Sequence, residues 1–405
     1  MHVLQICPFP IPNEPNSGGT IRISEIRKAY EAAGHTVTQC CVVTKKRDKS
    51  NNTDVSLGIW DRIRRKHFGH PHNIGQIRIY WASKGNARSY ASYIAKNVDA
   101  PVDVIQVEHP WTIDIATELK NFKNFKNART IYSSHNIEHR LHAGLWELGA
   151  RTLKSAERMT AEIEKLEIQC AVNADVCWAV SESDKAQLEQ WGAKSVVLAP
   201  NGCRALMDRT RGDLERSIET IDPYALFIGG DYAPNTNGFM EKIVRPMLRG
   251  TATPRILVAG SVCNALERDT SLQPLISKKS VILRGVVSRR ELDDLIHFSH
   301  ALLLPISSGG GTNLKTAEAI VSNKTVICTT TALRGFENWA AAPGIYIEDE
   351  NDAFARRAAE TLKDSKIPKN WHRDSSSVTW PYTLNAAILS AERLAPMNRE
   401  TDVTQ

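Results

Sequence analysis

The sequence predicts an α/β protein built from two doubly wound parallel-sheet domains. Three observations predict it. Short apolar runs alternate with amphipathic helical stretches, the pattern of parallel βα layers. Most of these runs end at glycine, proline or a polar pair, as strands do where they hand over to loops. The alternation restarts once, near residue 201, and 405 residues are enough for two separate cores.

In chain order, Val3 to Cys7 reads as the first strand, and Pro8 through Gly19 as a proline- and glycine-rich loop. Ile21 to Ala33 has helical spacing, and Gly34 ends it. Val37 to Val43 is the next strand, and residues 50–76 read as irregular and basic. Arg88 to Asn97 is helical. Val102 to Val107 is a strand ending at Glu108-His109-Pro110, and Thr130 to Ser133 one ending at Ser134-His135-Asn136. Leu153 to Ala174 is helical, Val176 to Val180 a strand, Glu182 to Gln190 a helix and Val196 to Leu198 a strand. Pro200-Asn201-Gly202 punctuates the chain. The second series comprises Tyr224 to Ile228, Arg255 to Ala259, Val281 to Leu283, Ala301 to Leu304 and Thr325 to Cys328. Glycine succeeds the first three at Gly229-Gly230, Gly260 and Gly285. Tyr382 to Leu394 reads as an amphipathic helix after Trp380-Pro381. The expected domains are residues 1–200 and 201–381, with a closing helix and tail over 382–405.

Composition is that of a soluble globular protein, at 42% hydrophobic and 24% charged residues. No apolar run approaches the roughly 18 residues of a membrane helix. The start, Met1 to Ile6, reads as a strand and lacks the basic-then-apolar order of a signal peptide. Eight cysteines occur without a Cys-x-x-Cys pair, mostly in apolar context. That pattern suits reduced thiols and a cytoplasmic protein. The net charge of +6 is unevenly spread, with twelve Lys/Arg against four Asp/Glu over residues 41–100. Lys45-Lys46-Arg47, Arg62 and Arg64-Arg65-Lys66 are interleaved with Trp60, Ile63 and Phe68. Residues 45–68 are therefore a candidate peripheral contact with an anionic membrane. A solvated basic loop is the alternative. No nucleic-acid motif accompanies the charge, so no nucleic-acid partner is expected.

The stretch from Pro305 through Ala319 carries the strongest chemistry. A buried strand ends in proline, Gly309-Gly310-Gly311 come next, then Thr312 and Asn313 open a helix. Strand, glycine turn and helix N-terminus together present bare N–H groups to a phosphate. Lys315 adds a charge in the first turn. Glu318, one turn on, suits sugar hydroxyls better than phosphate. A flexible turn with a solvated lysine is the plain alternative. Gly18-Gly19 offers a second helix N-terminus of the same kind, or a simple turn. Glu108-His109 and His135-Asn136-Ile137-Glu138 lie just past strand ends and face the same crevice if the sheet is parallel. They read as acid/base or hydroxyl-orienting groups, or as caps of the next helices. A zinc reading of His135, His139, His142 and Glu138 lacks the His-Glu-x-x-His order, so no metal is expected. No Gly-x-Gly-x-x-Gly comes after the first strand, which argues against a dehydrogenase.

These residues, in this order, resemble the family-four glycosyltransferases of the GT-B fold, in the branch used for exopolysaccharide and cell-surface sugar assembly. The matching segments are His135 to Glu138, Ala179 to Asp184, Pro200-Asn201-Gly202, Phe227 to Asn235, Pro305 to Ala319, Val326-Ile327 and Arg334 to Glu337. The resemblance implies two Rossmann-like domains facing a cleft, the first for the acceptor and the second for a UDP- or GDP-linked sugar donor. It implies a retaining, metal-independent enzyme with no cofactor beyond that co-substrate. The acceptor would be a glycan, a lipid-linked sugar or a small molecule. Residue by residue, it implies donor contacts from Gly230, Gly285, Val287, Gly309, Gly310, Gly311, Thr312, Asn313, Lys315 and Glu318. Gly18, Gly19 and Asn136 fall on the acceptor side, and Glu108, His109, His135 and Glu138 at the chemistry. Three departures stand out. The family's first glutamate is replaced by Gly310. The loop Gly230 to Asn235 has no cation, which throws weight onto Lys315 and Arg290. Glu108 aligns where relatives often place a catalytic histidine, with His109 next to it. The rival readings are a catalytically silent scaffold and a nucleotide-sugar epimerase of the same fold.

Overall fold

The structure is a computed structural model, and it describes residues 1–15, 17–60, 80, 84–147, 153–204, 223–308, 312–363 and 369–395. The chain divides into two compact units. One comprises Met1–Pro200 with Thr383–Gln405, and the other Asn201–Tyr382.

The first unit is built on a seven-stranded sheet. Its strands are β1 (His2–Cys7), β2 (Thr36–Val43), β3 (Val55–Ser56), β4 (Val104–Glu108), β5 (Arg129–Ser133), β6 (Val176–Ala179) and β7 (Val196–Leu198). Their spatial order is β3-β2-β1-β4-β5-β6-β7, and every pairing is parallel. All five residues of β4 are buried, the polar Gln106 and Glu108 among them, as suits a central strand covered on both faces. Strand order reverses between β1 and β4. The loops after these two strands therefore diverge, and the crevice at their carboxyl ends is where ligands of such sheets bind.

The second unit repeats the plan. Strands β8 (Ala225–Ile228), β9 (Ile256–Ala259), β10 (Val281–Gly285), β11 (Ala301–Leu304), β12 (Thr325–Cys328) and β13 (Ile345–Ile347) are ordered β10-β9-β8-β11-β12-β13, again all parallel. Reversal falls between β8 and β11. Phe227 of β8 stacks on Phe239 with ring centroids 4.9 Å apart, tying the sheet to the helix Ala233–Phe239.

The sequence reading misses β3 and β13. Both are short edge strands, too brief for periodicity to register, and Tyr346 and Ile347 of β13 are only partly covered. The first helix also begins earlier than its apolar spacing suggests, at Gly18. Ser17 caps it, its hydroxyl accepting the Thr20 amide while Thr20 Oγ1 accepts the Ser17 amide. The last helix runs Trp380–Leu394. From Thr383 onward the chain belongs to the first unit, where Trp178 Nε1 donates to Ser390 Oγ at 3.1 Å and His35 meets Glu392 at 2.8 Å.

Candidate functional site

In the first unit, the carboxyl end of β4 and the turn after β5 bring Glu108, His109, His135 and Glu138 together. Glu108 is fully buried and accepts hydrogen bonds from Gln5 Nε2 and Gln106 Nε2, each at 2.7 Å. His135 Nε2 lies 2.8 Å from its other oxygen. Burial alone would raise the Glu108 carboxyl, but the His135 and Gln5 hydrogen bonds outweigh it and hold the group ionised. Burial and the neighbouring His109 push His135 down to about 3. His135 is therefore a neutral imidazole donating to a carboxylate.

His109 is next in the chain, with φ of 61°. A non-glycine residue in this region is strained, and such strain persists where the surroundings impose it. Its Nδ1 lies 2.7 Å from Glu138 Oε1, and its ring stacks on His135 with centroids 3.9 Å apart. Phe9, from the loop after β1, meets it edge-on at 5.7 Å. His109 Nε2 is buried and has no hydrogen-bond partner among the described residues. A Cβ at Gly19 would stand 3.8 Å from that nitrogen, so the ring's free edge points at the first turn of the helix Gly18–Ala32. Gly18 is exposed and Gly19 half-buried. First-turn amides have no acceptor within their own helix, so polar groups of opposite demand converge here. Glu138 is also ionised: burial opposes this, and the His109 hydrogen bond overcomes it. His142 Nε2 is 3.6 Å from Glu138, and burial lowers this imidazole too. Glu167 receives the amides of Glu138 and His139 at 2.6 and 3.0 Å, which caps the helix Glu138–Glu147. Asn136 is half-buried in the same turn. Among the described residues, no group of His, Cys, Asp and Glu has the arrangement of a metal site.

In the second unit, the loops after β8 and β11 meet at the point of strand reversal. Gly238, in the helix Ala233–Phe239 that succeeds the β8 loop, lets that helix pack onto the β11 loop, because a Cβ there would stand 1.8 Å from the Pro305 carbonyl oxygen. Asn313 caps the helix Leu314–Val321. Lys315 Nζ donates to Asn235 Oδ1 at 3.1 Å, and Asn235 Nδ2 donates to the Gly230 carbonyl at 3.0 Å. Burial lowers the Lys315 ammonium to about 8, with nearby Glu318 opposing the shift. Thr312 is held by Asn201, whose Nδ2 donates to its carbonyl at 3.0 Å, while its buried hydroxyl has no partner among the described residues. Glu318 Oε1 is 3.0 Å from Arg289 Nη1. Gly285, with φ of 71°, leaves β10 and directs Val286 into solvent, with Val287 half-buried behind it. Gly309, Gly310 and Gly311 lie outside the described residues, as do Arg62 through Phe68 of the basic segment.

The structure thus gathers the sequence candidates into two clusters, one per unit, each where strand order reverses. Two further residues join the second cluster. Asn235 takes the place in the β8 loop where a cation was missing, and the motif around it was its signal. Arg289, not Arg290, pairs with Glu318. The sequence offers two adjacent arginines at a helix start and no means of choosing between them.

The sequence profile described as Glycosyltransferase Family 4 matches residues 16–204. No curated protein matches the chain. Among solved structures, sucrose-phosphate synthase from Thermosynechococcus elongatus superposes with a TM-score of 0.67 at 16% identity, covering 97% of this chain and 98% of that one. A glycosyltransferase from Rickettsia africae gives 0.62 at 14%, with coverage of 97% and 98%. The Anabaena HepE protein, solved in complex with UDP, gives 0.55 at 11% with the same coverage. At these identities the structural likeness speaks for the fold alone, and the profile match speaks for the residues it covers. Residues 16–204 match the Glycosyltransferase Family 4 profile, and that match together with the GT-B fold supports a glycosyltransferase.

Proposed function

We propose that the chain transfers a sugar, with retention and without a metal, from a UDP- or GDP-linked donor to a hydroxyl of a glycan, lipid-linked or small-molecule acceptor. Its place would be in polysaccharide assembly at the inner face of the cytoplasmic membrane. The observation that supports this best is the Lys315 cluster at the β8/β11 reversal. A half-buried ammonium, a threonine hydroxyl without a partner among the described residues and a helix N-terminus lie close together in the chain there, with a carboxylate one turn along the helix. The donor's diphosphate would take the ammonium and the helix amides, and its ribose the Glu318 carboxylate. Departure of the diphosphate builds negative charge on the leaving oxygen, which fixed donors stabilise without reorganising.

In the first unit, the Glu138 hydrogen bond keeps the proton of His109 on Nδ1, so Nε2 is free to accept from a sugar hydroxyl. His135 packs against the same ring and stays neutral, so it brings no positive charge up to that nitrogen. In a retaining transfer the acceptor oxygen attacks from the face the diphosphate leaves. The leaving oxygen takes the acceptor's proton, so the protein's part is positioning and charge stabilisation. The UDP bound to the Anabaena HepE protein makes uridine the first base to try.

The test is thermal stabilisation by UDP-, GDP- and ADP-sugars of wild type and Glu318→Ala. A ligand that binds only the folded state raises the melting temperature by mass action. A shift with one nucleotide class, weakened in the variant, supports the donor reading. A silent scaffold is the second reading, favoured by the cation-free loop Gly230 to Asn235. It predicts no shift with any of them.

A further inference from the structure

We infer that Arg289 is a positioning residue of the donor site, holding the Glu318 carboxylate in the orientation that distinguishes ribose from deoxyribose. This rests on the donor reading of the Lys315 cluster. Arg289 opens the helix Arg289–Phe298, capped by Ser288, and its guanidinium reaches two carboxylates at once. Nε lies 3.1 Å from Asp293 Oδ1, one helical turn along, and Nη1 lies 3.0 Å from Glu318 Oε1 on the helix Leu314–Val321. Among the described residues, Arg289 is the only hydrogen-bonding partner of the Glu318 side chain. Arg290, next in sequence, makes no such pair among them.

The chemistry comes from the shape of the groups. Glu318 is a flexible side chain on a helix surface, and alone it would sample several rotamers. A guanidinium is always charged and donates directionally, so even the single hydrogen bond to Oε1 narrows the rotamers that Glu318 adopts. Asp293 is largely buried and pairs by charge with the other edge of that guanidinium, without a directed hydrogen bond. The chain Asp293–Arg289–Glu318 therefore fixes one carboxylate oxygen and leaves the second to accept hydroxyls. Two vicinal hydroxyls on a ribose need such a fixed acceptor, and a deoxyribose lacks them. Lysine at 289 would keep the charge but not the two-edged geometry.

The experiment uses the full chain and measures the affinity of UDP, GDP and ADP, each beside its 2′,3′-dideoxy counterpart. Hydrogen bonds to a charged acceptor predict that wild type prefers the ribose form by roughly 10- to 100-fold. Arg289→Ala is expected to cut that preference to within about threefold, whatever common change the lost charge makes to the affinity of both nucleotides. Asp293→Asn, which loosens the anchor, is expected to reduce it partway and keeps the test alive if the first variant folds poorly. Arg289→Lys is expected to restore little. A merely structural role would move both nucleotides together and leave the ratio alone, and that result overturns the inference. So does tighter ribonucleotide binding by Arg289→Ala, which would make the ion pair a competitor for the ligand. If wild type binds none of the diphosphates, the donor reading itself falls, and Arg289 with it. If the ratio survives Arg289→Ala but not Glu318→Ala, only the role of Arg289 falls.

Discussion

Lys315 makes a pH signature that no other donor-site group imitates. Its ammonium is lowered from an ordinary 10.5 to about 8, first by burial, with Glu318 opposing. In the ligand-free protein it is charged below pH 8 and progressively neutral above it. A bound diphosphate favours the charged form, so binding above pH 8 must take up a proton. Donor affinity is therefore expected to be level from about pH 6.5 to about 8. Above that it weakens by up to about tenfold per unit, or about 1.4 kcal/mol. The stability of the free protein moves the other way. The folded pKa lies below the unfolded one, so between about 8 and 10.5 the unfolded chain holds more protons and stability rises with pH. Calorimetric titration with the nucleotide sugar, whose diphosphate diester has no proton to lose in this range, measures the first effect. Repeating it in buffers of different ionisation enthalpy counts the protons. Lys315→Met should bind more weakly at pH 7 and show no slope up to pH 9. A level wild-type affinity through pH 9, or the same slope in Lys315→Met, would refute the reasoning.

Three other outcomes are expected. His109→Ala should lower kcat by roughly 10²-fold through a misplaced acceptor hydroxyl, with little change in donor affinity, and Glu138→Gln by less, measured by steady-state transfer once a donor is known. Gly238→Ala places a Cβ 1.8 Å from the Pro305 carbonyl. It should cost roughly 1–3 kcal/mol or more in a melting experiment and weaken donor binding, because it parts the helix Ala233–Phe239, which carries the Asn235 partner of Lys315, from the β11 loop. Neutralising Arg62, Arg64, Arg65 and Lys66 should reduce sedimentation with anionic vesicles. Trp60, 72% exposed beside those four residues, should contribute when changed to Ser. Unchanged vesicle binding in both variants would remove the membrane from the proposal.

Much of the site was readable from sequence because the chemistry sits where patterning is clearest. Ala301 to Leu304 is a buried run with a proline stop. A buried central strand must hand over to a loop at the sheet's end, so Lys315 and Glu318 were placed by position alone. Glu108-His109 came from the same rule at β4. The pairings inside the clusters were not readable. That Glu108 binds His135 while His109 binds Glu138 depends on the register of β4 against β5, where Glu108 lies beside Ser133. Apolar periodicity does not carry that register. Arg289 and Arg290 are identical in type and adjacent, and only the helix phase set by Ser288 sends the first toward Glu318. The edge strands β3 and β13 escaped because two or three residues hold no period.

The two units use one topology for opposite electrostatic purposes. In the first, Glu108 and Glu138 stay ionised while His135 and His142 are driven toward neutrality, so the two carboxylates outnumber the buried guanidinium of Arg22 and a histidine nitrogen is left open. Such a crevice would repel a diphosphate and suit hydroxyls. In the second, a half-buried ammonium and a helix N-terminus make the crevice positive, and its carboxylate is already matched by Arg289. That crevice suits an anion carrying a sugar. The assignment of acceptor to the first unit and donor to the second is thus an expectation of charge as well as of resemblance. It is open to a direct check: inorganic pyrophosphate should protect the helix Leu314–Val321 from hydrogen exchange and leave the helix Gly18–Ala32 unaffected. Protection of the Gly18 helix instead would reverse the assignment.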